Sequence, residues 1–134
     1  MRLTVFADGA SRGNPGPAAI GASVRADDGV EVATVSERIG RATNNVAEYR
    51  AAIAGVRAAR SLGATVIDLR MDSELVVRQL AGLYRVKNVA LQPLYTSLLG
   101  ELDAVSWSVG HVPRAQNTRA DALANAALDG TFID

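Results

Sequence analysis

Three strand-like apolar runs open the chain with links too short to hold a crossover helix: LTVFA (3–7), AAIGASVR (18–25) and VEVATVSE (30–37). Short links leave antiparallel pairing, because parallel neighbours need a dozen or more connecting residues. The Asp-Gly pair of ADDG, between the second and third runs, is a hairpin signal. The pattern then changes. TNNVAEYRAAIAGVRAARSLG starts with capping residues Thr43 to Asn45, sets Val46, Tyr49, Ile53, Val56 and Ala59 at helical spacing and stops at Gly63. ATVIDLRM (64–71) reads as a fourth strand and SELVVRQLAG as a short helix. VALQPLYTSLLGEL follows as a helix with an early Pro93, AVSWSVG as a fifth strand, and a last helix begins near Asn117. Strands reached through a helix pair in parallel by a right-handed crossover. The order β-β-β-α-β-α-α-β-α therefore predicts an α/β fold, a mixed five-stranded sheet in which three antiparallel strands join parallel ones and helices flank the faces. Gly9 to Pro17, with its glycines and prolines, reads as a loop that is neither helix nor strand.

Residues 1–134 are enough for one core, and we read them as a single domain. The tail DGTFID ends as abruptly as a domain cut from a longer protein would. No apolar run is long enough to span a bilayer, and the N-terminus lacks a signal peptide's layout, so a cytoplasmic protein is expected. Cysteine is absent and His111 is the single histidine, which removes thiol catalysis, thiolate-bound zinc and histidine-rich metal sites. Any metal must be held by oxygen. Fourteen basic residues balance fourteen acidic ones, so net charge names no partner.

Four acids stand at element boundaries or early in helices: Asp8, Glu48, Asp72 and Asp121. Each has an ordinary local explanation. Asp8 before Gly9 suits an Asx-turn, Glu48 lies at capping-box spacing from Asn45, Asp72 suits an N-cap, and Asp121 favours a helix dipole. Their joint placement is harder to reduce, since Asp8 and Asp72 both follow strands, where ligands collect in open α/β sheets. If those strands are neighbours the carboxylates meet, and such a group repels itself unless a cation neutralises it. Oxygen-only ligands select hard ions such as Mg²⁺ or Mn²⁺. Two of them, ~4 Å apart, serve in-line displacement at phosphorus. The residues alone thus point to metal-dependent phosphoryl transfer or nuclease chemistry.

FADGASRGNPGPAAIG, TNNVAEYRAAIAGV, MDSELVVRQLAG and HVPRAQNTRADALAN resemble, in order and separation, the signature blocks of type 1 ribonuclease H. The resemblance covers nearly the whole chain. It implies an endonuclease that hydrolyses the RNA strand of RNA–DNA hybrids with two divalent ions, Mg²⁺ or Mn²⁺, leaving 5′-phosphate and 3′-hydroxyl ends. By that resemblance Asp8, Glu48, Asp72 and Asp121 are the metal-binding acids and His111 the mobile histidine that assists proton movement or product departure. Gly9 and Asn14 belong to a glycine-rich loop lying against the hybrid, where backbone can reach a 2′-hydroxyl. Asn44 and Asn45 match asparagines touching nucleotides beside the cut, although Asn45 also suits a cap. Arg41, Thr43 and Asn88 match a pocket for a DNA phosphate, with capping an equal account of Thr43.

The segment RQLAGLYR is short, so the extra basic helix of some members is missing, and weaker hybrid binding with steeper salt or metal dependence is expected. Glu74 stands where many relatives carry a neutral residue that contacts substrate, which leaves its role open. This layout resembles the archaeal and actinobacterial subgroup, in which a C-terminal partner domain can be fused. The expected state is a monomer. Nucleases of related fold that act on DNA, and a binding module without catalysis, are the competing readings.

Overall fold

The computed structural model describes residues 1–131; the end of the tail, 132–134, lies outside the described residues. Strands β1 (Arg2–Ser11), β2 (Gly16–Arg25) and β3 (Glu31–Ala42) precede helix α1 (Asn44–Ser61) and strand β4 (Val66–Met71). Helices α2 (Glu74–Leu80) and α3 (Gln92–Leu102), strand β5 (Ser106–His111), a 3₁₀ turn (Arg114–Gln116) and helix α4 (Thr118–Asp129) complete the order. The sheet runs β3-β2-β1-β4-β5. β1 pairs antiparallel with β2 and parallel with β4, β2 pairs antiparallel with β3, and β4 parallel with β5. The mixed sheet expected from link lengths is the one found.

One expectation fails. Gly9 to Pro17 is mostly strand: Gly9, Ala10 and Ser11 pair with Ile20, Ala19 and Ala18, and only four residues, Arg12 to Pro15, form the turn. Cross-strand pairing, closed by the Arg12 N–H on the Pro17 carbonyl at 2.8 Å, overrides the weak strand propensity of glycine. The Asn14–Pro15 peptide bond is cis.

Alternation along β1 buries Leu3, Val5 and Ala7 on the face that meets α1. The opposite face of β1 and β2 carries α4. Helix α1 presents Ala47, Ala51, Ala52 and Ala59 with Tyr49, Ile53 and Val56, all buried, and its small residues let it lie close on the sheet. Ile67, Leu69 and Met71 of β4 with Leu98 and Leu102 of α3 extend the same core. Between α2 and α3, residues 81–91 form no helix, in keeping with the missing basic helix. No helix among the described residues is long and apolar enough to cross a membrane.

Tyr49 is fully buried, and its hydroxyl donates to Oε1 of buried Gln79, whose Nε2 donates to the Arg85 carbonyl at 3.4 Å. This polar thread ties α1 to α2 and to the loop after it. Tyr49→Phe is expected to lower unfolding free energy by about 1–3 kcal/mol, because it leaves the Gln79 oxygen buried without its donor. Urea denaturation checks this; an unchanged midpoint would show that Gln79 finds another partner.

Candidate active site

Pairing between β1 and β4 stops at Phe6 opposite Arg70. Two residues further along each strand direction come Asp8 and Asp72, so the parallel register carries both carboxylates to the place where the strands part. Asp8 therefore lies within a strand that continues to Ser11, and not at its end as expected. The chain leaves β4 directly after Met71, and Ser73, not Asp72, caps α2: its side chain accepts from the Val76 N–H at 3.3 Å. Asp72 is left for the cleft.

Glu48 reaches the same place from α1. Its capping-box reading is overturned, since the N-cap is Thr43, whose hydroxyl accepts from the Val46 N–H at 3.3 Å, and Asn45 lies inside the helix. Carboxylate oxygens of Asp8, Glu48 and Asp72 all lie within 4.8 Å of one another. Gly9 makes this approach possible. A Cβ there would fall 2.2 Å from the Ala47 carbonyl carbon and 2.4 Å from the Glu48 nitrogen, so only glycine lets α1 press its backbone on β1 beside the acids. The Gly9 N–H in turn hydrogen-bonds the Glu48 carboxylate.

Asp121 enters from the first turn of α4. That helix is set down by Asn117, 1% exposed, whose Nδ2 donates to the Ala7 carbonyl at 3.0 Å, one residue before Asp8. Opposite Asp8 on β2 stands Gly21, where a Cβ would lie 2.2 Å from the Ala120 carbonyl oxygen. Backbone therefore meets backbone just below Asp121, whose carboxyl hydrogen-bonds that of Asp8. Gly21 and Asn117 escape sequence reasoning, because neither packing role leaves a local pattern.

All four acids line one cleft of about 490 Å³, together with Gly9, Ser11, Arg12, Asn44, Ser73, Arg114 and Asn125. Burial, then Glu48, the hydrogen bond to Asp121 and the charge of Asp72 push the Asp8 carboxyl far above the ordinary carboxylate range. Burial first, then Asp72, also raises Glu48; the hydrogen bonds from Asp8 and Gly9 and the charge of Arg114 oppose this without reversing it. Two buried acids pushed towards their protonated forms, and a Glu48 Oε2 that is buried with no hydrogen-bond partner, are what a hard divalent ion would satisfy. The donor set fits such an ion.

The other expected residues lie around this cleft or away from it. His111 ends β5, paired across from Met71, and is exposed without lining the cleft. Asn44 lines the cleft, and its N–H donates to Oδ1 of Asn14 at 3.1 Å, which fastens the β1–β2 turn to the start of α1. Arg41 reaches towards the Pro15 carbonyl at 3.5 Å and borders a separate hollow with Pro17, Arg38 and Leu128. Asn88 is exposed and closes an Asx-turn on the Ala90 N–H at 2.8 Å. Glu74 forms a long, exposed ion pair with Arg78 of its own helix at 3.9 Å.

A mixed sheet of order 3-2-1-4-5 that gathers carboxylates from β1, from the bend after β4 and from two helices into one cleft defines the ribonuclease H-like class of fold. Residues 6–127 match the family model described as reverse transcriptase-like. The ribonuclease HI of Halobacterium salinarum is 50% identical over 96% of this chain, and a crystal structure of RNase H1 from that archaeon superposes with a TM-score of 0.95 over 98% of this chain and 100% of its own. LC11-RNase H1, solved in complex with an RNA/DNA hybrid, is 36% identical with a TM-score of 0.92 over 96% of this chain and 97% of its own. A bifunctional protein of Mycobacterium tuberculosis is 49% identical over 96% of this chain. The chain spans 65% of the length of the Halobacterium protein and 36% of the mycobacterial one. It belongs to the type 1 ribonuclease H family, whose members are divalent-metal-dependent hydrolases.

Proposed function

We propose that this domain is an endonuclease that hydrolyses the RNA strand of RNA–DNA hybrids, leaving 5′-phosphate and 3′-hydroxyl ends. The observation that carries the reading is the meeting of Asp8, Glu48 and Asp72 oxygens within 4.8 Å, in a cleft shared with Asp121. Asp8 and Asp72 would hold both of two Mg²⁺ or Mn²⁺ ions, with Glu48 and Asp121 completing their surroundings. Bound there, such ions supply activation of a water and stabilisation of the departing oxygen. The chain's own part is to hold the carboxylates on β1, on the bend directly after β4 and on the two helices, and to keep a basic group, Arg114, beside them. His111, on the neighbouring strand end, carries a proton in or out.

The turn from Arg12 to Pro15 and the N-terminus of α1 form the wall that meets the minor groove, where Gly9, Asn14, Asn44 and Asn45 contact the hybrid and a 2′-hydroxyl marks the RNA. Arg41, Thr43 and Asn88 take a phosphate of the DNA strand. One chain supplies every acid of the cleft, which supports a monomer as the working unit; the place of work read for it is the cytoplasm. We read residues 1–134 as a single catalytic domain of the kind that longer relatives contain.

The test is a panel of labelled hybrid, duplex RNA, duplex DNA and single strands, each with Mg²⁺, Mn²⁺ or chelator. Cleavage of the hybrid alone, lost in chelator, is expected. Equal cleavage of duplex DNA would transfer the site to a DNA-directed nuclease.

A further inference from the structure

Three acids of the cleft bring oxygens within 4.8 Å of one another: Asp8 and Glu48, both buried, and Asp72, half-buried. Asp121 is placed differently. It rises from the first turn of α4, is half-buried and stands outside the three-oxygen group. Its carboxyl meets Asp8 on one side only, and a carboxylate held from one side keeps rotamer freedom to lose before it can serve as a ligand.

Asn125 removes that freedom. One turn further along α4, its Nδ2 donates to Oδ1 of Asp121 at 3.2 Å and to the Asp121 carbonyl at 3.0 Å. Its Oδ1 faces Nη2 of Arg12 at 3.5 Å, and Arg12 is anchored to α4 by a 2.7 Å ion pair with Asp129. A carboxylate on one side and a guanidinium on the other dictate which way the amide is turned, since only the NH₂ can donate and only the oxygen can accept. Arg12 is the first residue of the β1–β2 turn, and Arg12, Asn125 and Asp121 all line the cleft. An ordinary surface pair at i, i+4 has no such third member.

We infer that Asn125 is a positioning residue: it holds the Asp121 carboxylate towards the acidic cleft and ties it to the turn that borders the substrate. The inference rests on the proposed role of the four acids as ligands of a divalent ion. Groups that orient a metal ligand typically account for 10–100-fold in affinity. A helix interior favours alanine over asparagine, so Asn125→Ala removes the amide without weakening α4.

The experiment titrates Mn²⁺ into the substrate-free chain by calorimetry and measures hybrid cleavage against Mn²⁺ concentration. Asn125→Ala is expected to weaken Mn²⁺ binding about 10-fold, to shift the activity curve by the same factor, and to leave kcat at saturating Mn²⁺ and KM for the hybrid within about 2-fold. Asn125→Gln, which keeps an amide within reach of Asp121, is expected to recover most of the loss. Melting in chelator is expected to match the wild type. Unchanged Mn²⁺ affinity in Asn125→Ala, with Asp8→Asn still impaired, would overturn the role of Asn125 alone. Unchanged binding in Asp8→Asn would overturn the carboxylate site beneath it.

Discussion

Asp8→Asn is expected to lower cleavage of an RNA–DNA hybrid at least about 10³-fold while leaving the hybrid bound as well as before. The substitution keeps shape and one oxygen and removes one negative charge. Asp8 is the acid that touches both Glu48 and Asp121 by hydrogen bonds and meets Asp72 within the three-oxygen group. A bound divalent ion stabilises the charge of a phosphoryl transition state by several kcal/mol, and about 4 kcal/mol corresponds to about 10³-fold in rate. Ground-state binding is expected to change little, because in chelator burial and the neighbouring acids already hold Asp8 protonated and the substitution removes no charge there. Single-turnover cleavage and a filter-binding titration separate the two effects, and equal cleavage by variant and wild type would remove Asp8 from the chemistry.

The same substitution has a stability consequence with a definite sign. In chelator, burial and the neighbouring acids keep Asp8 and Glu48 protonated well above the pH at which an unfolded chain releases those protons. Between about pH 4 and the raised values the folded state holds more protons than the unfolded state, so stability falls as pH rises. The stability these protonated acids contribute is complete below about pH 4 and is lost as pH climbs through their raised range. Each unit by which such a pKa is raised is worth about 1.4 kcal/mol. Asp8→Asn, neutral at every pH, should therefore be more stable than the wild type in chelator, by a margin that widens from pH 5 to pH 8. Added Mn²⁺ stabilises the wild type far more and closes the gap. Urea midpoints that stay parallel across this range would show that the acids are not coupled in solution.

The mixed sense of strand pairing was legible because link length decides it before any side chain is considered. The four acids were legible as a set, although the individual explanations of Glu48 and Asp72 as capping partners were wrong. Thr43 and Ser73, each with a hydroxyl one residue before its helix, took the caps and left the carboxylates for the cleft. Illegible were the contacts made across distance. Gly9 looked like loop chemistry, yet its absent side chain is what admits the backbone of Ala47 and Glu48. Asn117 marked only the start of a helix, and Asn125 carried no sequence signal of its own. Their partners, Ala7 and Arg12, are 110 and 113 residues away in sequence, and only the sheet brings them near.

Gly21→Ala is expected to destabilise the fold by about 3 kcal/mol or more and to disable the site with it. The added methyl would stand 2.2 Å from the Ala120 carbonyl oxygen, 2.6 Å from the Ala124 nitrogen and 3.0 Å from Leu123 Cβ. No side chain can swing aside, because the obstacles are the backbone and Cβ of α4. The helix must lift from β2, and overpacking of this kind costs about 1–3 kcal/mol before other contacts are lost. Lifting α4 also strains the buried 3.0 Å hydrogen bond from Asn117 to Ala7, whose loss costs a further 1–3 kcal/mol, roughly. The displaced helix carries Asp121 and Asn125, so divalent-ion affinity should fall even in molecules that remain folded. Gly100→Ala supplies the contrast. Gly100 lies in α3 with nothing within 4 Å of its would-be Cβ, and alanine there should stabilise by about 0.5–1 kcal/mol through helix propensity. Paired thermal melts with and without Mn²⁺ check both. A Gly21→Ala variant that melts with the wild type and binds Mn²⁺ as tightly would mean that α4 has room to move without taking Asp121 out of the cleft.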